Sequence, residues 1–124
     1  MTIQYGPNEL QWRVHLNATP EGVYELLSTD GGRESFWAES SKAFNDEVSL
    51  AFPDLSTTTV RILLEHPPHV LEMDYFGVPT RFVMQRAGEH STVLEVTASN
   101  VPAHDMVDLA AGWVSVLLNL KAVI

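Results

Sequence analysis

The chain has 124 residues, sixteen acidic and seven basic, and a net charge of −9. A nucleic-acid surface needs a basic stripe to displace counterions, and an anionic membrane surface needs a basic patch; two lysines and five scattered arginines supply neither, so no nucleic acid is expected as a partner. The absence of cysteine excludes disulfides, thiolate metal sites and a cysteine nucleophile, and it agrees with a cytoplasmic setting.

The length points to one domain over residues 1–124. The opening MTIQYGPNEL lacks the basic start and apolar run of a secretory leader. The first element is LQWRVHL, 10–16. It alternates strictly, with Leu10, Trp12, Val14 and Leu16 on one side, which predicts a half-buried strand. ATPEGVYELLS follows, 18–28. Thr19 suits the N-cap, Pro20 the first helical position, and Val23, Leu26 and Leu27 give an apolar face. TDGGRESFWAES breaks that helix, and a second short helix is expected to carry Phe36 and Trp37.

From Lys42 onward the chain reads as strands. SKAF and EVSLAF are joined by Asn45-Asp46, a tight-turn pair. TTTVRILLEH, HVLEMDYF, PTRFVMQRA and STVLEVTAS follow, punctuated at Pro67-Pro68, Gly77-Val78 and Gly88-Glu89-His90. These joints predict registers. Leu64 is expected opposite Leu71, and Ile62 opposite Met73. Met73 then falls opposite Phe82, Leu71 opposite Met84, Met84 opposite Leu94 and Phe82 opposite Val96. One face is then apolar across four strands, and a slip of one residue would spoil it. The other face carries Arg61, Asp74 and Arg81 in a row, read as a solvated ion network.

Residues 105–124 form the last helix. On a 3.6-residue wheel, Asp105, Asp108, Gly112, Ser115 and Asn119 fall on one narrow stripe, and Lys121 stands apart. Nearly everything else is apolar, whereas a surface helix buries a stripe of roughly 100°. The helix is therefore expected to touch apolar matter on more than one side. No stretch reaches the roughly 18 continuous apolar residues of a spanning helix, so no membrane span is expected. Strands in a meander with helices before and after indicate an α+β fold.

The run NATPEGVYELLSTDGGRESFW resembles the opening of the START-like, helix-grip proteins, the polyketide cyclase or birch-pollen-allergen superfamily. GWVSVLLNLKAVI resembles the C-terminal helix of the branch named after the activator of the heat-shock-protein-90 ATPase, with Gly112, Trp113, Leu117, Asn119, Leu120 and Lys121 in matching positions. The resemblance implies a seven-stranded curved antiparallel sheet wrapped around the last helix, with two short helices after strand 1. It also implies a pocket between helix and sheet for an apolar or amphipathic small molecule. Parity directs Trp12, Ile62, Met73, Tyr75, Phe82 and Met84 toward that pocket from the sheet. Trp113 and Leu117 face it from the last helix and Trp37 from the short-helix region. A buried Tyr75 phenol wants a hydrogen-bond partner. No glycine-rich phosphate loop, serine-histidine-aspartate order or metal-ligand spacing is present, so neither a cofactor nor a metal is expected. Three functions fit: a binding module, a cyclase/aromatase-like enzyme, or a cochaperone-like interaction domain. Leu63, Val70, Val83 and Val93, on the polar sheet face, are candidates for a partner or homodimer contact.

Overall fold

The computed structural model describes residues 1–124. Its strands are β1 Thr2–Tyr5, β2 Leu10–Leu16, β3 Ser40–Phe44, β4 Glu47–Ala51, β5 Thr57–His66, β6 Val70–Tyr75, β7 Val78–Gly88 and β8 Ser91–Ala98. The helices are α1 Pro20–Ser28, α2 Asp30–Phe36 and α3 Met106–Val123, the last preceded by a 3₁₀ turn at Ala103–Asp105. All eight strands form one antiparallel sheet in the order β1-β2-β8-β7-β6-β5-β4-β3. The architecture is the expected α+β one with a C-terminal helix, but the strand count is eight, not seven, and the two short helices follow strand 2. The extra strand is β1, an edge strand paired only to β2, from Thr2↔Arg13 to Tyr5↔Leu10.

Local chemistry explains the start of the fold. Thr19 caps α1, its side chain accepting from the Gly22 N–H at 3.2 Å, with Pro20 inside the first turn. Thr29 repeats the device for α2, accepting from Gly32 N–H at 3.0 Å. A Cβ at Gly32 would lie 2.5 Å from the Leu26 carbonyl oxygen, so only glycine permits the sharp α1–α2 corner. Arg33, buried, then fastens α2 to β3. Its Nε donates to Ser41 Oγ at 2.8 Å and Nη2 donates to Asp30 Oδ1 at 2.9 Å. Trp37 caps the end of α2 and is thereby held against the core.

The alternation in β2 is realised: Leu10, Trp12, Val14 and Leu16 are all buried. β2 pairs with β8 along its length, Leu10↔Ala98 to Leu16↔Thr92. The β7–β8 register is as predicted, with Phe82↔Val96 and Met84↔Leu94. Two hairpins differ. Between β5 and β6 the loop takes three residues, so Leu64 faces Glu72 and Glu65 faces Leu71; a bulge between Ile62 and Leu64 restores Ile62↔Met73. Between β6 and β7 the turn is Phe76-Gly77, two residues, not Gly77-Val78. Met73 therefore faces Thr80, and Leu71 faces Phe82. That slip of two residues preserves the buried face, as the period-2 pattern requires. It also breaks the Arg61–Asp74–Arg81 row: Asp74 faces Pro79, while Arg81 faces Glu72, its ion-pair partner at 3.4 Å.

The core is one cluster on the helix-bearing face of the sheet. α3 contributes Ala110, Trp113, Leu117 and Leu120 to it. The Trp12 indole N–H donates to the Ala110 carbonyl at 3.3 Å. The rest of the helix departs from expectation. Val107, Ala111, Leu118 and Ala122 form a stripe open to solvent. The helix lies along one side of the sheet, so one arc is buried and the opposite apolar arc is not. Residues Ala103–Val123 are long and apolar enough, by length and composition, to cross a membrane, with mean hydropathy 1.5. The buried arc of α3 is nevertheless part of the same core as β2, β7 and β8.

Candidate functional site

A cavity of about 780 Å³ opens between α3 and the sheet. Three segments build it. The first is the β4–β5 loop, giving Phe52, Pro53, Asp54 and Ser56. This loop is closed by Phe52 N–H to Ser56 O at 2.9 Å and Leu55 N–H to Phe52 O at 3.0 Å. The second is the β6–β7 hairpin tip, giving Tyr75, Phe76 and Val78. The third is the amino-terminal half of α3, giving Asp105, Asp108, Leu109, Gly112, Trp113 and Val116. The i, i+3, i+4 spacing of these six puts them on one flank of the helix.

Aromatic rings make the floor. Trp113 has its centroid 5.2 Å from Tyr75, 5.5 Å from Trp37, 5.5 Å from Phe82 and 6.1 Å from Trp12. Tyr75 in turn meets Phe76 edge-on at 4.7 Å. Phe76 occupies the first turn position with φ 54°, followed by Gly77 with φ 78°. A left-handed conformation disfavours bulky side chains, and such turns prefer Asn or Gly. Leu55, on the opposite loop, has φ 71° and is almost fully exposed. Two apolar residues in strained conformations thus sit on two of the segments that frame the cavity. Strain of this kind persists where the surroundings impose it and clusters at binding sites.

The polar groups are few. Burial pushes the Tyr75 phenol above its ordinary value; the Trp37 indole opposes this weakly, without a hydrogen bond of good geometry. The Trp113 indole N–H is buried and has no partner. Asp54 is held below the usual carboxylate value, first by the Ser56 hydroxyl and then by the Ser56 N–H. Asp105 and Asp108 are exposed on the α3 side. Gly112 lies mid-helix, and a Cβ built there meets nothing within 4 Å. Neither packing nor backbone demands this glycine, and its effect is to keep that flank of α3 open.

Of the nine residues expected at the pocket, Tyr75 and Trp113 line this cavity. Trp37 packs against both from behind and lines a smaller depression, with Phe36, Ala38 and Asn119 among its other residues. Trp12, Met73, Phe82, Met84 and Leu117 are fully buried in the core, and Ile62 is half-buried against it; none of these six lines the cavity. The missed residues are those of the β4–β5 loop, Phe76, Val78 and, on the helix flank, Asp105, Asp108, Leu109, Gly112 and Val116. Only that helix flank left a signal: Asp105, Asp108 and Gly112 are the polar stripe of the helical wheel. His66 and His69 join through the hairpin backbone, His69 N–H to His66 O at 2.9 Å. Arg86 is exposed and pairs with Glu21 at 3.2 Å.

No family model matches the chain, and no curated protein does. Solved structures do. The Aha1 dimer from Colwellia psychrerythraea superposes with a TM-score of 0.79 at 20% identity, over 91% of this chain and 92% of that one. CalU16 from Micromonospora echinospora gives 0.73 at 17% identity, over 95% and 79%. DynU16, described as a putative protein in the dynemicin biosynthetic locus, gives 0.78 at 16% identity, over 94% of this chain and 47% of that one. The fold is the START-like helix-grip fold. Helix-grip geometry accounts for the position of the cavity, in the space that the sheet and last helix leave between them.

Proposed function

We propose that this helix-grip protein binds an apolar or amphipathic small molecule in the cavity between α3 and the sheet, and that it has no chemistry of its own. The single observation that carries this reading is the aromatic-floored space of about 780 Å³, within the usual range of ligand sites at roughly 300–1,000 Å³. The open flank at Gly112 supports it. A collapsed interior together with an apolar patch on the outer surface would favour the cochaperone-like reading, and the solvent-open stripe of α3 is a patch of that kind. The likeness to Aha1 and the ending GWVSVLLNLKAVI support assignment to that branch, and the dimeric neighbour makes a homodimer compatible with the fold.

A cyclase-like enzyme is the second reading, favoured by the likeness to DynU16 and CalU16. Against it, the acidic groups lie near the solvent and Tyr75 is the only titratable group on the aromatic floor. General acid–base work needs a positioned pair within reach of the reacting atoms.

The test uses Nile red, a neutral apolar dye. Saturable fluorescence enhancement by the wild-type protein, lost in Gly112→Phe, is the expected result. Equal enhancement by both proteins, or none by the wild type, overturns the assignment of the cavity.

A further inference from the structure

Resting on that reading, we infer that the cavity selects an apolar molecule carrying a protonated amine. Three carboxylates, Asp54, Asp105 and Asp108, belong to its lining, and no lysine or arginine does. Asp54 comes from the β4–β5 loop and the other two from α3, so a ligand entering between these segments passes between full negative charges. The amino end of α3 adds a partial positive charge of about half a unit, which three carboxylates outweigh.

Below the carboxylates, the walls are aromatic. A cation lying within about 6 Å of a ring centroid is attracted by the ring quadrupole, and Trp113, Tyr75, Phe76 and Phe52 all present rings to this space. Carboxylates and aromatic faces both favour a cation over an anion, and the net charge of −9 draws cations from a distance. The Trp113 N–H, buried at 2% exposure and unpartnered, is a donor with no acceptor. The ligand class is therefore an amine on an apolar body, and fatty acids and other organic anions are disfavoured.

Three isosteric probes test this by calorimetry at neutral pH: 2-(1-naphthyl)ethylammonium, the neutral 2-(1-naphthyl)ethanol and the anion 1-naphthylacetate. The expected order is ammonium, then alcohol, then carboxylate, with about tenfold between the first and the last. D54N/D105N/D108N collapses that spread. The control E9Q/E47Q/E89Q, which removes the same charge from exposed positions outside the cavity lining, retains it. Alcohol binding as tightly as ammonium, or a spread that survives in D54N/D105N/D108N, overturns the charge selection and leaves the cavity assignment standing. Binding of none of the three overturns both.

Discussion

The indole N–H of Trp12 donates to the carbonyl of Ala110 across 98 positions of sequence, tying β2 to the middle of α3. Both residues are buried, and the bond fixes the height of the helix against the sheet. Trp113, one turn further on, is thereby held with its ring beside Trp12 and Phe82. Trp12→Phe removes the donor and part of the ring, and should cost about 1–3 kcal/mol. Trp12→Ala should cost about 3–5 kcal/mol. Urea denaturation checks both, and a stable Trp12→Ala protein would contradict this anchor.

Trp113 has a dual role, as core residue and cavity floor. Trp113→Ala should destabilise by about 3–5 kcal/mol and abolish Nile red enhancement. Trp113→Phe keeps most of the packing and removes the unpartnered N–H, so stability should fall by less.

Gly112 offers a test in the opposite direction. Alanine is favoured over glycine in a helix interior by roughly 0.5–1 kcal/mol, and a Cβ there meets open space. Gly112→Ala should therefore raise the midpoint of thermal unfolding while narrowing the cavity. A destabilised Gly112→Ala protein would show that the flank is closed by a contact absent from this structure.

Phe76 should show the same trade. Asn tolerates the left-handed conformation better than an aromatic residue does, so Phe76→Asn should stabilise slightly, net of the lost edge contact with Tyr75, and weaken binding of aromatic probes. Loss of stability with unchanged binding would remove Phe76 from the site.

The Asp30–Arg33 pair predicts a pH dependence. Burial pushes the Asp30 carboxyl up, but hydrogen bonds from the Arg33 guanidinium, the Ser41 hydroxyl and the Ala43 N–H outweigh it and hold it below its ordinary value. A depressed folded value means stability that is present above the unfolded value and lost as pH falls through the folded one. Asp30→Asn should cost about 1.5–3 kcal/mol at neutral pH, where buried Arg33 loses a charged partner. The gap to wild type should shrink below about pH 4, as read by denaturation at several pH values.

The fold was legible where period and local chemistry agree. The alternation of β2, the Thr19-Pro20 start of α1 and the Asn45-Asp46 turn each carry their own cause. β1 was not legible, because its four residues are an edge strand defined by pairing with β2, not by a buried face of their own. The β6–β7 turn was misplaced because Phe76 reads as a strand residue, and only the fold imposes its left-handed conformation. The same tertiary dependence hid the site. Parity separates inward from outward side chains, but it cannot separate inward residues that meet other side chains, such as Met73 and Phe82, from those that meet open space. The Phe52–Ser56 loop has no period at all, and its place in the cavity wall follows from strand order alone.

The most direct test of the cavity is an NMR titration of the ¹⁵N-labelled protein with 2-(1-naphthyl)ethanol. The indole N–H of Trp113 and the amides of Gly112 and Gly77 should shift together along one saturable curve. Saturable shifts confined to the Trp37–Asn119 depression or to the outer face of the sheet, with those three signals unmoved, would contradict the account.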